Sequence, residues 1–79
     1  MTEEQNDVMQ NEELKKLGGI ATDMQLSEKM RTQAVNQLGD IASHESLLVL
    51  LNLAANDRLN TDERELALKR AREIVKKGR

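Results

Sequence analysis

The segment NEELKKLGGIATDMQLSEKMRTQAVNQLGDIA, residues 11–42, decides the fold, because a second segment matches it without a gap. The second segment is HESLLVLLNLAANDRLNTDERELALKRAREIV, residues 44–75. At this shift of 33 residues, eight of the 32 pairs are identical, and six of the eight are apolar at helix-core spacing. The identical residues of the first copy are Glu12, Leu14, Leu17, Ala21, Leu26, Arg31, Ala34 and Ile41. The sequence therefore predicts two copies of a helical-hairpin repeat.

Each copy is predicted to contain two helices, at about residues 11–22 and 28–42 in the first copy and 44–56 and 61–77 in the second. The second helix has the clearest pattern, because Ser27 is a good N-cap and an apolar stripe runs from Met30 to Ile41. Gly18-Gly19 would by itself end the first helix at Leu17. The match to residues 44–56 predicts instead that this helix continues to about Thr22.

Composition supports an all-α fold in which two antiparallel helix hairpins stack as a short α-solenoid. The 79 residues include no Pro and no Cys, and 33% of them are charged, which is typical of a soluble helical domain without disulfides. We expect a mobile tail over residues 1–10 and a single helical-repeat domain over residues 11–79, with repeat one at 11–42 and repeat two at 44–75.

The second helix of each repeat resembles that of HEAT-like repeats, especially the short kind found in phycobilin-lyase-type proteins. The residues that carry the resemblance in the first copy are Met30-Arg31, Ala34, Leu38-Gly39 and Ile41. Their counterparts in the second copy are Glu63-Arg64, Ala67, Ala71-Arg72 and Ile74. The resemblance implies an α-solenoid that binds other proteins, and the departures at Glu63 and at Ala71-Arg72 suggest a terminal repeat that faces water.

Surplus apolar residues on the third helix predict a binding surface. Leu48 and Val49 align with Lys15 and Lys16, so the second hairpin would expose two apolar side chains that the first does not. We predict that a protein partner, or a second copy of the chain in a homodimer, binds through Leu48, Val49, Arg31 and Arg64. The alternative is that the third helix is central and buried on all sides. Leu51 aligns with Gly18, and this predicts a packing notch or a flexible break there.

A second candidate site is the basic run of the C-terminal helix, which includes Lys69, Arg70, Arg72, Lys76 and Lys77. This run could bind nucleic acid by charge alone, although the chain has no aromatic residue to stack on a base. The ordinary alternative is a solvated helix end whose cations complement the helix dipole. We also expect Arg31 and Arg64 to pair with carboxylates such as Asp40 or Asp62.

The remaining signals indicate no enzyme, no metal site and no cofactor. His44 is the only His, and the chain has neither a Cys nucleophile nor a Gly-rich phosphate loop. The N-terminus has no signal-peptide pattern, and no segment is apolar enough to span a bilayer. We therefore expect a cytoplasmic, non-catalytic interaction module that does not associate with membranes.

Overall fold

The computed structural model describes the backbone of residues 2–77 and the side chains of residues 11–77. The described chain forms four α-helices and no strand: α1 (Thr2–Ala21), α2 (Glu28–Ile41), α3 (His44–Ala54) and α4 (Thr61–Lys77). The predicted all-α fold class is confirmed. Helix α1 runs through Gly18-Gly19 without a break, as the repeat alignment predicted.

The predicted start of α1 near residue 11 is wrong, because α1 begins at Thr2. The preceding segment contains neither Pro nor Gly, so nothing in it stops the helix from extending towards the N-terminus. The side chains before Asn11 lie outside the described residues, and the mobility of residues 1–10 stays a prediction. Helix α3 ends at Ala54, two residues earlier than expected, because the turn before α4 begins there.

The two hairpin turns share their Asx and cap bonds at the shift of 33 residues. The backbone N–H of Gln25 donates to the Asp23 carboxylate over 2.9 Å, and that of Arg58 donates to the Asn56 side chain over 3.0 Å. The next helix is then capped by Ser27 in the first copy and by Asn60 in the second. These Asx and cap bonds explain why both turns have the same course.

A tight connection between α2 and α3 joins the two hairpins. Ala42 ends α2 in the left-handed conformation, with a φ of 55°. Ser43 then caps α3: its hydroxyl accepts from the Ser46 N–H, and the Ser46 hydroxyl accepts from the Ser43 N–H. Because this reciprocal capping box fixes the first turn of α3, the helix starts within a few residues of the end of α2.

The core lies between the two hairpins. Helices α2 and α3 each pack against the three other helices, whereas α1 and α4 lie on opposite sides of them. The largest apolar side chains that are fully enclosed are Leu38 of α2, Leu50 of α3 and Val35 of α2. Small residues at Ala34, Ala67 and Ala71 let α2 and α4 approach closely. One face of the first hairpin is thus covered by the second hairpin.

Candidate functional site

The outer side of the second hairpin carries an apolar groove. Leu51 of α3 and Leu68 and Val75 of α4 are 43%, 37% and 51% exposed. Together with Leu47 and Ala71 they line a groove of about 290 Å³ between the two helices. We call this surface, with the charged residues at its edge, the open face. Exposed apolar side chains that adjoin one another usually mark an interaction site.

Helix geometry explains why α3 contributes to this surface. Leu47 and Leu51 are four residues apart and therefore project from the same side of α3. Leu50 and Leu53 project from the other side and are buried against the first hairpin. Helix α3 is apolar on both sides, so it supplies the core and the open face at once. The alternative that α3 is buried all round is wrong, because Leu48 and Leu51 are exposed.

Cationic side chains surround the apolar centre of the open face. Arg72 and Lys76 line the groove beside Val75, and Arg64 lines a second depression that adjoins it at Leu68. Arg64 is half-buried, and its Nε donates a 3.1 Å hydrogen bond to the Ala54 carbonyl, which holds the guanidinium at the end of α3. Glu65 is the one acidic residue in the lining of these two depressions. The face is therefore apolar in its centre and positively charged at its edge.

Arg31 is enclosed in an ion pair between the hairpins. Its Nε donates a 2.9 Å hydrogen bond to one carboxylate oxygen of Glu63, and its Nη2 donates a 2.9 Å hydrogen bond to the other. Its Nη1 donates to the Leu26 carbonyl. Both side chains are buried, that of Glu63 completely. The hydrogen bond with Glu63 raises the pKa of Arg31 above its ordinary value. Arg31 is therefore not accessible to a partner. It pairs with a carboxylate as expected, but with Glu63 rather than Asp40 or Asp62, whereas Arg64 donates to the Ala54 carbonyl.

The predicted surface of Leu48 and Val49 is only partly in place. Leu48 is about half exposed but lies outside the groove. Val49 is directed towards the first hairpin, where its Cγ1 would lie 3.6 Å from a Cβ built on Gly18. Gly18 thus sits where the two hairpins approach each other, within an unbroken helix. Of the four predicted partner-binding residues, only Arg64 lines the open face.

The basic run of α4 is divided by its contacts. Arg70 is held against α2: its Nη1 donates to the Asn36 side chain over 3.1 Å and its Nη2 to the Asp40 carboxylate over 2.7 Å. A Cβ on Gly39 would overlap the Arg70 guanidinium, so Arg70 would have to shift if this position carried a side chain. Lys69, Arg72, Lys76 and Lys77 are exposed. The five cations therefore do not form one continuous charged surface.

The described residues contain no group of three or more His, Cys, Asp or Glu side chains that could hold a metal ion. His44 is exposed at the first position of α3. None of the helices in the described part of the chain is long and apolar enough to cross a membrane.

Leu47, Leu51, Leu68 and Val75 are site residues that the sequence reasoning missed. The signal was present in the repeat alignment, which pairs them with Leu14, Gly18, Val35 and Ala42 of the first copy. Three of these four belong to the hairpin face that the second hairpin covers or adjoins, since Leu14 and Val35 are buried and Gly18 approaches Val49. Asking which residues occupy that face in the second copy would have identified the groove.

No protein-family model, no curated protein and no solved structure matches this chain.

Proposed function

We propose that this chain is a non-catalytic interaction module that binds another protein through the open face. The observation that carries the proposal is the contiguous exposure of Leu51, Leu68 and Val75. Covering each of these half-exposed side chains would contribute about 1 kcal/mol, because full burial of such a residue is worth roughly 1.5–3 kcal/mol. Three neighbouring side chains of this kind favour association over an accidental exposure of single apolar residues.

The likeness to HEAT-like repeats stays part of this proposal. Stacked helical hairpins bind proteins through extended surfaces, and two hairpins are fewer than such stacks usually need. A partner that covers the open face would supply the missing neighbour of the second hairpin.

Nucleic-acid binding by the C-terminal helix is the weaker candidate. Arg70 is engaged with Asp40 and Asn36, so the exposed part of the run is reduced to Lys69, Arg72, Lys76 and Lys77 among the described residues. A site that binds phosphates by charge loses affinity steeply as salt increases, whereas an apolar contact changes little. Salt dependence therefore separates the two candidates.

Site-specific photo-crosslinking in the source cell tests the proposed function. A photoreactive residue is placed at Leu51 or Leu68, and matched positions are Lys29 on the solvent side of α2 and Asp57 in the second turn. We expect a small set of discrete adducts from Leu51 and Leu68 that Val75→Glu abolishes, and none of these adducts from the matched positions. Equal adduct patterns from all four positions would contradict binding through the open face.

A further inference from the structure

The open face occupies the position at which a further hairpin would be stacked. The second hairpin covers Arg31, Val35 and Leu38 of the first, and the last two are fully buried. Moved by 33 residues, these three become Arg64, Leu68 and Ala71, which all line the open face. The two hairpins thus have equivalent sides. That of the first hairpin is covered by the second hairpin, and that of the second hairpin forms the open face.

An identical third hairpin would meet larger side chains at this position than the second hairpin meets on the first. Leu51 stands where the first hairpin has Gly18, which lies against Val49. Arg72 stands where the first hairpin has Gly39, and a side chain there would require the residue equivalent to Arg70 to shift. The occupant must therefore leave room for Leu51 and must carry something other than a cation opposite Arg72.

A second copy of the chain, stacked head to tail, is also a poor occupant. Its first hairpin would present Met30 where the second hairpin presents Glu63, so Arg64 would receive no carboxylate. It would also bring Lys16 to the position of Val49, close to a surface that already carries Arg64, Arg72 and Lys76. Like charges brought together in this way oppose association, although exposed Ile20 and Met30 would contribute apolar area.

The edge charges indicate what the occupant must be. In the covered copy, Arg31 is satisfied by both oxygens of a glutamate from the neighbouring hairpin. In the exposed copy, the Nη atoms of Arg64 have no hydrogen-bond partner among the residues described, while its Nε is fixed by Ala54. Arg72 and Lys76 extend the same positive charge along the groove. Carboxylates on both sides of an apolar stripe would complement this arrangement.

We propose that the open face binds an amphipathic helix of another protein whose apolar stripe is flanked by acidic residues, one of which pairs with the Nη atoms of Arg64, since its Nε donates to the Ala54 carbonyl. This inference rests on the proposed function and specifies the chemistry of its partner. The helix lies in the groove between α3 and α4, with its apolar side on Leu51, Leu68 and Val75. Its carboxylates face Arg64, Arg72 and Lys76.

Two synthetic helices test the proposal against the full chain. Both are stapled peptides of about 20 residues with the same leucine stripe, so that little ordering cost remains on binding. One carries Glu beside the stripe and the other carries Lys. Binding is followed by the anisotropy of a dye on the peptide, which suits a protein without aromatic residues. A labelled DNA duplex is the third probe.

We expect the Glu peptide to bind at least about tenfold more tightly than the Lys peptide, which corresponds to about 1.4 kcal/mol. Arg64→Gln should weaken the Glu peptide several-fold, and Leu68→Gln should weaken both peptides. The matched variant Lys29→Gln removes an exposed cation on the solvent side of α2 and should change neither affinity.

Three results would overturn the proposal, and they are distinguishable. If both peptides bound equally and Leu68→Gln weakened both, the acidic character of the partner would be rejected. The open face would then be an apolar protein-binding surface. Binding of neither peptide, together with discrete crosslinks from Leu51 in cells, would also leave the proposed function and remove the helical partner. If only the duplex bound, with salt-sensitive affinity, and no crosslinks to protein formed, both the helical partner and the protein-binding function would be rejected. Nucleic-acid binding would then be the supported function.

Discussion

The carboxylate of Glu63 accepts two 2.9 Å hydrogen bonds from the guanidinium of Arg31, and these two residues join the N-terminal ends of α4 and α2. The pair links the hairpins at a place where both side chains are removed from water. A buried pair of this kind stabilises little beyond an apolar pair of the same shape, but losing one partner leaves the other charge unpaired. Its main effect is to specify how the second hairpin is placed on the first.

The first prediction concerns this pair. Glu63→Gln should lower the urea midpoint of unfolding more than Asp40→Asn does, because Asp40 is largely exposed in its contact with Arg70. The double variant Arg31→Met, Glu63→Leu should recover much of the loss, since it leaves no charge buried. Circular dichroism at 222 nm, a standard helix signal, follows the transition. Equal effects of the two single variants would contradict the structural role of the pair.

Two glycines of the chain should gain different amounts of stability from alanine. Gly19→Ala should stabilise the protein by about 0.5–1 kcal/mol, because Gly19 lies inside α1 and a Cβ there meets no atom within 4 Å. Gly39→Ala should stabilise it less, since the new Cβ would displace the Arg70 guanidinium from Asp40 and Asn36 and so offset part of the helical gain. Urea unfolding of both variants measures the difference. Equal gains for both would mean that Arg70 moves aside without cost.

Adjacent leucines of α3 should behave differently, because one faces the core and the other the open face. Leu50→Ala should cost about 2–5 kcal/mol of unfolding free energy, as cavity-forming changes do in a fully buried site. Leu51→Gln should change the unfolding free energy by less than about 1 kcal/mol, because Leu51 is exposed. A large loss for Leu51→Gln would show that the open face contributes to the core.

The capping box of α3 gives a fourth prediction. Ser43→Ala removes the hydroxyl that accepts the Ser46 N–H over 3.0 Å and should cost about 1 kcal/mol. Ser43→Asn should retain most of the stability, because asparagine is an equally good N-cap. Thermal unfolding of the two variants compares the caps. If alanine and asparagine gave the same midpoint, the cap would not determine where α3 begins.

The chain should be a monomer in solution over a wide range of protein concentration. Head-to-tail stacking would place Met30 and Lys16 against Arg64 and its cationic neighbours, which offers no partner for the guanidinium. Light scattering with refractive-index detection measures the molar mass without needing an aromatic chromophore. A dimer that Leu51→Glu dissociates would instead mean that the open face pairs with a second copy.

Many features of the fold were predictable because they depend on contacts within a few residues. Ser27 and Ser43 cap their helices through bonds three residues long, and apolar periodicity located α2, α3 and α4 to within two residues. The predicted start of α1 was wrong because the polar residues before Asn11 suggested a tail. A helix can extend through polar residues that include no helix breaker. The continuity of α1 through Gly18-Gly19 came from the alignment of the two copies.

The candidate site was harder to predict, because it depends on which side of each helix the neighbouring hairpin covers. The sequence does not distinguish Leu48, Val49 and Leu51, because all three are apolar and lie within about one turn of the same helix. Val49 faces the first hairpin, Leu51 lines the groove, and Leu48 is exposed beside it. Arg31 and Arg64 are likewise identical in the repeat, yet only Arg31 has a glutamate from a following hairpin.

The sequence by itself determined four helices, their caps and the repeat that relates them, since backbone bonds and helical periodicity are local. Tertiary structure alone decided that Arg31 is enclosed with Glu63 while Arg64 remains at an exposed face. The physical reason is that the repeat places similar residues on equivalent sides of both hairpins. Whether such a side is exposed depends on whether another hairpin packs on it.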